Sequence, residues 1–524
     1  MGLLVLGIAS ARDHLSAQTR APTIDTVLIV NHNIFDPGDP TLAALARVAN
    51  AIHVRTHASV IRRTLFLNQG DPYDSARAVE SARALRGLNV FREVAVDTVR
   101  LAGRLALRVF TADGWSTKPQ LNYSTAGGDA TWSTGIQEEN FLGTATSLTA
   151  LYTNTPDRSS ESFAYFNPHF LGRRPRLFGL YQDFSDGRRG AWFWGVPFYE
   201  TAAPRSYTTG GEAATQDVLT FHHVTRANGQ DSLATDTTER HALRFTLGGG
   251  VALHATSRSY LRLWVSGSWR REDFVPVGAV APRSIFGTLG AGVELARTRF
   301  HVMQEFNSYA RREDVNLSQI LRAGVWAAPR AWGYPVGRAG VGAEAFGQVS
   351  SFWPGGFVVL RGSVNGLYNG TSLDSARARG GFTIASQNLG WQTLIVHLEA
   401  GMLRRPKPGV QFDPWIDQNG PRLFGAHAFT GTRTVWLAVE DRILAFEELA
   451  GLVGVGLAPF FDWGGAWDED QPARTGGDFG IALRLGPTRA VRADVQEFAV
   501  GWRFFPPGVS APRWALSIRR GINF

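Results

Sequence analysis

Histidines and acids are the first residues to weigh, because the chain has no cysteine and therefore no thiolate ligand, thiol nucleophile or disulfide. His53 and His57 stand four apart, and His222 and His223 are adjacent. Two imidazoles do not make a metal site without further ligands. Asp71, Asp74 and Glu80 imitate a carboxylate group for acid–base work. A turn at Gly70-Asp71-Pro72 and a helix cap at Asp74 account for the two aspartates. There is no phosphate-binding loop and no G-x-S-x-G elbow. No Ser-His pair stands out as the machinery of a barrel hydrolase such as a phospholipase. The expectation is a protein without catalytic residues, cofactor or metal, and not an enzyme.

Three charged residues pose a different question. Arg422 lies in the segment Gly420-Pro421-Arg422-Leu423-Phe424-Gly425. Glu440 alternates with Val435, Leu437 and Val439, and Asp462 alternates with Phe461 and Trp463. In strands, this phase turns each acid away from an apolar face. A guanidinium pairs with carboxylates through two parallel hydrogen bonds, and an enclosed setting screens the pair less than water does.

The elements that would hold these residues are strands. From Trp115 onward, apolar residues recur at every second position. Leu148, Ala150 and Tyr152 are one such set, followed by Leu243, Phe245 and Leu247, then Leu261, Leu263 and Val265, and finally Phe479, Ile481, Leu483 and Leu485. Segments of about ten residues divided by Gly, Pro, Asp and Asn turns fit strands that cross a bilayer with one apolar face. Residues 115–524, at about 25 residues per strand and connection, allow about sixteen strands. No repeat of about forty to fifty residues is visible, which argues against a propeller. The last twelve residues, Arg513 to Phe524, alternate as well. Trp514, Leu516, Ile518, Arg520, Ile522 and Phe524 share one face, broken only by the arginine.

Composition agrees. The 524 residues include 58 glycines; 11% are aromatic and only 19% charged. That balance suits many turns and aromatic girdles. The formal charge of +8 comes from arginines scattered singly or in pairs through the alternating segments, with no long basic run, so it does not indicate nucleic acid. No uninterrupted apolar run of about eighteen residues exists for a membrane helix. Residues 1–20 read as a signal peptide or leader without its basic start, with Ser16-Ala17-Gln18 as a cleavage site. Residues 22–112 mix periods. A strand at Thr26–Val30 is followed by a helix over Ser59–Leu67 with Val60, Leu65 and Phe66 inward. A second helix, capped by Asp74, turns Val79, Ala82, Leu85 and Leu88 inward, and two strands follow it.

The segment I-R-R-T-L-F-L-N-Q-G-D-P-Y-D followed by S-A-R-A-L-R-G-L-N-V-F-R-E-V-A-V, within Ile24 to Thr111, resembles a POTRA domain. The Gly420–Gly425 segment, Phe429-Thr430-Gly431, Leu437–Arg442 and Phe460-Phe461-Asp462-Trp463-Gly464 occur in order. Together they resemble the BamA/TamA-type superfamily of outer-membrane assembly and translocation proteins, the bacterial surface antigen family. The resemblance implies a long loop folded back into the barrel, with Arg422 and Phe424 at its tip and Glu440 and Asp462 as lumen partners that lock it. Leu423 departs from the family, which carries Gly there. Phe524, with Ile522, resembles the C-terminal signal read by barrel-assembly machinery, although Arg519 stands where that signal has Gly.

The fold class expected is mainly β: a transmembrane antiparallel barrel of about sixteen strands (residues 115–524) after an N-terminal α+β POTRA domain (residues 22–112). The resemblance implies insertion or translocation of polypeptides at the bacterial outer membrane, with the POTRA domain in the periplasm. The partners implied are outer-membrane lipid, unfolded or extended client polypeptides, and periplasmic chaperones or assembly factors, with no nucleic acid. The alternative is a passive pore or surface-antigen barrel that moves no protein.

Overall fold

The computed structural model describes residues 22–35, 50–51, 53–126, 128–172, 174–225, 231–280, 285–304, 306–309, 313–334, 339–417, 419–488, 495–505 and 512–522. The leader, 1–20, and the last two residues, Asn523 and Phe524, lie outside them.

The chain begins with a small α+β unit. It comprises β1 (Thr26–His32), α1 (Ala58–Thr64), α2 (Ser75–Arg86), β2 (Phe91–Leu101) and β3 (Arg104–Asp113). The sheet order is β1-β3-β2, with β1 parallel to β3 and β2 antiparallel to it. Asp74 caps α2, accepting from the backbone N–H of Ala76 at 2.8 Å and of Arg77 at 3.3 Å. Ile61, Leu65, Leu67, Leu85, Phe91, Leu107 and Val109 form its core. The inward stripe of α2 is rotated from the expected one. Ala78, Ser81, Ala82 and Leu85 are buried, whereas Val79 is 58% exposed.

A closed barrel follows. Its first strands are β4 (Thr117–Ala126), β5 (Asp129–Phe141), β6 (Thr146–Asn154), β7 (Ser159–Asn167), β8 (Arg176–Phe184) and β9 (Gly187–Val196). Longer strands come next: β10 (Arg205–Thr225), β11 (Asp231–Ala255), β12 (Ser259–Val275) and β13 (Ile285–Arg297). A separate hairpin, β14 (Phe300–Met303) with β15 (Glu313–Asn316), interrupts the series. The barrel resumes with β16 (Gln319–Pro329), β17 (Ala339–Trp353), β18 (Gly356–Tyr368), β19 (Leu373–Ser386) and β20 (Gln392–Arg404). It finishes with β21 (Arg433–Leu449), β22 (Val453–Trp467), β23 (Gly476–Pro487), β24 (Gln496–Phe504) and β25 (Trp514–Arg520), and β25 closes on β4.

The expected barrel of about sixteen strands behind a POTRA domain is corrected on both counts. The barrel has 20 strands, β4–β13 and β16–β25, each antiparallel to its neighbours. The allowance per strand was too generous: β6 to β9 are nine or ten residues long, and β8 and β9 are joined by Ser185 and Asp186 alone. The N-terminal unit shares the β-α-α-β-β order, but nothing beyond that order marks it as a POTRA domain.

Alternation decides which residues face out. Leu243, Phe245, Leu247 and Val265 are 44–61% exposed on the outer face, and Arg262 and Trp264 are buried on the inner one. Inside, charged side chains cross-link neighbouring strands. Arg240 reaches Glu212 at 3.1 Å and Glu272 at 3.0 Å, and Arg322 reaches Glu294 at 3.2 Å and Glu344 at 3.0 Å. No helix among the described residues is long and apolar enough to cross a membrane. The strands would make that crossing, and strand pairing around the barrel, apart from most of the β25–β4 seam, satisfies their backbone groups in a lipid setting.

The α+β unit docks on one mouth of the barrel, here called the near end. The His57 N–H donates to the Gly143 carbonyl at 2.9 Å, and Glu80 accepts from the Thr201 backbone and hydroxyl at 2.8 and 2.7 Å. Arg86 clasps Asp314 of the β14–β15 hairpin at 2.6 and 2.7 Å. Residues around that hairpin turn into the barrel. Phe306, 1% exposed, packs with Leu317, Phe357, Val359, Ala385 and Ile395.

Candidate functional site: a buried charge cluster in the lumen

The connection between β20 and β21 starts at the far end and folds back inside. It contains a one-turn helix, α3 (Pro414–Asp417), and then Arg422, whose side chain is fully buried. The Arg422 guanidinium donates from Nε to Asp462 Oδ2 at 2.6 Å and from Nη2 to Glu440 Oε2 at 2.8 Å and Asp462 Oδ1 at 3.3 Å. Nη1 reaches Glu497 Oε2 at 3.5 Å. The cation also lies 4.0 Å over the Phe460 ring. Strand phase brings the acids together, because Glu440 on β21, Asp462 on β22 and Glu497 on β24 all occupy inward positions.

Leu423, where the resembled family carries Gly, has no left-handed backbone. Its side chain is fully buried among Ala458, Phe460, Ala482 and Ala499, and a Cβ on Gly501 would stand 2.9 Å from its Cδ1. Small residues on the wall make room for the larger side chain. The Leu423 N–H donates to Asp478 at 2.8 Å, and Arg503 donates to the Leu423 carbonyl at 3.1 Å. Phe424 is 5% exposed and meets Phe429 and Phe505 at ring distances of 4.9 and 5.3 Å.

The structure thus places Arg422, Glu440 and Asp462 in one contact set, with Phe424 beside it. Sequence reasoning missed Asp478, Glu497, Arg442 and Arg484. The signal was present: Asp478 and Glu497 alternate with apolar neighbours in the same way as Asp462 does. Arg442 donates to Glu440 at 2.6 Å, and Arg484 donates to Glu497 at 3.1 Å. Arg442 also holds the Phe306 carbonyl of the near-end insertion and the Ile522 carbonyl of the C-terminal tail, the latter at 2.6 Å. Tyr309, on the same insertion, donates to the Arg484 carbonyl at 3.4 Å.

Ile522 departs from the alternation read for the terminal strand. The phase holds from Trp514 to Arg520, with Ser517 and Arg519 buried and Trp514 and Leu516 exposed. Pairing then stops. The Gly521 N–H bonds to the Val495 carbonyl, and Ile522, 4% exposed, packs inside on Trp436 and Ala438. Phe524 lies outside the described residues. The seam this tail leaves is slight. Among the described residues, β25 pairs with β4 only at Ile518 and Thr125, whereas β24 and β25 share seven pairs.

Higher in the same loop, His427 has a left-handed backbone, φ 54°. Its ring contacts Asp413 at 2.5 Å and Asp157 at 2.9 Å and stacks 3.6 Å over Phe221. Burial pushes its pKa down, but the hydrogen bonds and charges of Asp157 and Asp413 outweigh that and hold it at about 9. The remaining histidines and acids take structural places. His53 contacts Asp113 at 2.9 Å, His223 meets the His427 carbonyl, His222 meets Asp468, and Asp71 accepts from the Asn68 N–H. Among the described residues, no group of three His, Asp or Glu could hold a metal.

Fold and site together define a class: a closed strand barrel with an apolar outer face and, inside it, a folded-in loop whose buried arginine pairs with acids of the wall. No family model matches this chain, and no curated protein does. Solved structures of similar shape include CdiB from Escherichia coli, at 11% identity over 97% of this chain and 92% of that one, with a TM-score of 0.46. CdiB from Acinetobacter baumannii matches at 12% identity over 95% and 73%, with a TM-score of 0.41. BamA from Haemophilus ducreyi lacking POTRA domains 1–3 matches at 11% identity over 94% and 84%, with a TM-score of 0.36. These likenesses accompany the barrel and assign no activity.

Proposed function

We propose that this protein is a bacterial outer-membrane barrel that inserts or translocates polypeptides, opening between β4 and β25. The observation that carries the reading is the seam, with one residue pair where the neighbouring ladder has seven. From Thr117 to Ser124, β4 has no seam-side partner among the described residues. Backbone donors and acceptors left open within a membrane are costly, and an extended client segment would satisfy them by adding a strand. The edge has the right alternation for such a partner, with Leu121 and Tyr123 outward and Gln120 and Asn122 inward. A polar cleft of about 550 Å³, lined by Lys118, Gln120, Asn122, Gln496 and Arg520, lies beside it and gives the open edge access to water. In this reading the folded-in loop gates the lumen, and the near end with its α+β unit faces the periplasm.

The chain has no cysteine, so a disulfide between Thr125→Cys and Ile518→Cys can be introduced cleanly. Levels of other outer-membrane barrels and of secreted proteins are compared in cells carrying the oxidised or the reduced pair. Loss on oxidation and recovery on reduction is the expected result. Full activity with the seam closed would sink the proposal, and ion conductance with no dependence on any polypeptide would favour a passive pore instead.

A further inference from the structure

A cavity of about 370 Å³ lies inside the barrel where the folded-in loop meets the seam. Ser517 and Arg519 of β25 and Thr131 of β5 line it on one side, and Trp415 and Phe424 of the loop and Phe184 of β8 line it on another. Ser517 is 1% exposed and Arg519 8% exposed. Ser517 Oγ, Arg519 Nη2 and Thr131 Oγ1 are all buried without a hydrogen-bond partner among the described residues. Buried donors without partners are costly, and three such atoms on one cavity call for a ligand that accepts hydrogen bonds.

The neighbouring charges narrow its chemistry. Five inward arginines, Arg422, Arg442, Arg484, Arg503 and Arg519, stand with four acids, Glu440, Asp462, Asp478 and Glu497. The first three arginines donate to carboxylates. Among the described residues, Arg519 donates only to the Arg520 carbonyl, at 3.4 Å. Asp157 and Arg158 also line the cavity. A single negative charge shared by one guanidinium nitrogen and two hydroxyls matches the three unpartnered donors. The aromatic walls favour an apolar body behind that charge.

We propose that this cavity binds a monocarboxylate bearing an aromatic or branched apolar group, with Arg519, Ser517 and Thr131 as donors. Such a ligand touches both seam strands and the loop, since Ser124 and Ala126 of β4 also line the cavity. Occupancy therefore steadies the closed barrel by mass action. This inference does not rest on polypeptide insertion and can hold if that reading fails.

Calorimetry on the full-length protein in detergent tests it with N-acetyl-L-phenylalanine, its uncharged amide, and acetate. The acid should bind at least about ten-fold more tightly than the amide, the scale of one charge-assisted contact in a closed site, and acetate should bind too weakly to detect. Arg519→Gln should abolish the preference for acid over amide. If that variant does not assemble, Ser517→Ala and Thr131→Val carry the comparison, each weakening the acid several-fold and the amide less. Equal binding of acid and amide, no binding of the acid, or variants that bind it like the parent would overturn the proposal.

Discussion

Replacing Arg422 by alanine removes one cation from three acids whose side chains are fully buried. They do not suffer equally. Glu440 keeps Arg442 at 2.6 Å and Glu497 keeps Arg484 at 3.1 Å. Asp462 has Arg422 as its only ion-pair partner among the described residues. Leaving one buried charge of a pair behind costs about 3–5 kcal/mol, and that loss should fall mainly on Asp462. Coupling between Arg422→Ala and Asp462→Ala in a double-mutant cycle should reach about 2–4 kcal/mol, with less for Glu440 and under about 1 kcal/mol for Glu497. The loop itself can report the energy. Thr430, 3% exposed, becomes a buried thiol as Thr430→Cys in a chain with no other cysteine. A maleimide labels it only when the loop leaves the lumen. Since about 1.4 kcal/mol is a factor of ten, Arg422→Ala should raise the labelling rate by about 10²–10³. Arg422→Lys should recover little, because an ammonium cannot span two carboxylates as a planar fork does. Additive effects of the Arg422 and Asp462 changes would show that the pair does not hold the loop, and the reasoning would fail.

The same label reads pH. The pKa of His427 is raised from its ordinary value of 6.5 to about 9, so its stabilising contribution is complete below about 6.5 and is lost as pH climbs through about 9. Normalised to the pH-dependent rate of the same thiol in the unfolded chain, labelling at Thr430→Cys should therefore accelerate over that window, and His427→Gln should flatten the normalised profile. Leu423→Ala should open a void among Ala458, Ala482 and Ala499 and destabilise the seated loop by about 2–5 kcal/mol, seen as faster digestion of the loop by added protease. Asp74→Ala should cost about 1 kcal/mol, read as faster hydrogen exchange confined to Ser75–Arg86.

Period two was the legible part of the fold. Leu243, Phe245, Leu247 and Leu261 were read as one face and stand on the outside, because each barrel strand must divide lipid from lumen. The number of strands was not legible, since nothing in alternation marks where a short hairpin such as β8–β9 reverses. On α2, Val79 was assigned inward by helical spacing, but Ala78 and Ser81 took the packed face beneath the sheet. At the site, Arg422, Glu440 and Asp462 could be named from motif and phase. Leu423's fit could not, because it depends on three alanines contributed by different strands. The inward turn at Gly521 was hidden as well: apolar Ile522 suits a lipid face or a lumen floor equally, and only Trp436 and Ala438 decide between them.

Glu440 binds two arginines, one that arrives with the far-end loop and one that grips both the near-end insertion and the C-terminal tail. Reciprocity follows. Whatever factor the seated loop contributes to retention of the tail, the seated tail contributes equally to retention of the loop. A ligand that draws the loop outward at one surface therefore changes the hold on the terminus at the opposite mouth without touching it, and a partner that pulls on the terminus changes the hold on the loop by the same ratio. The barrel would transmit a message across its full height through a single carboxylate, in either direction.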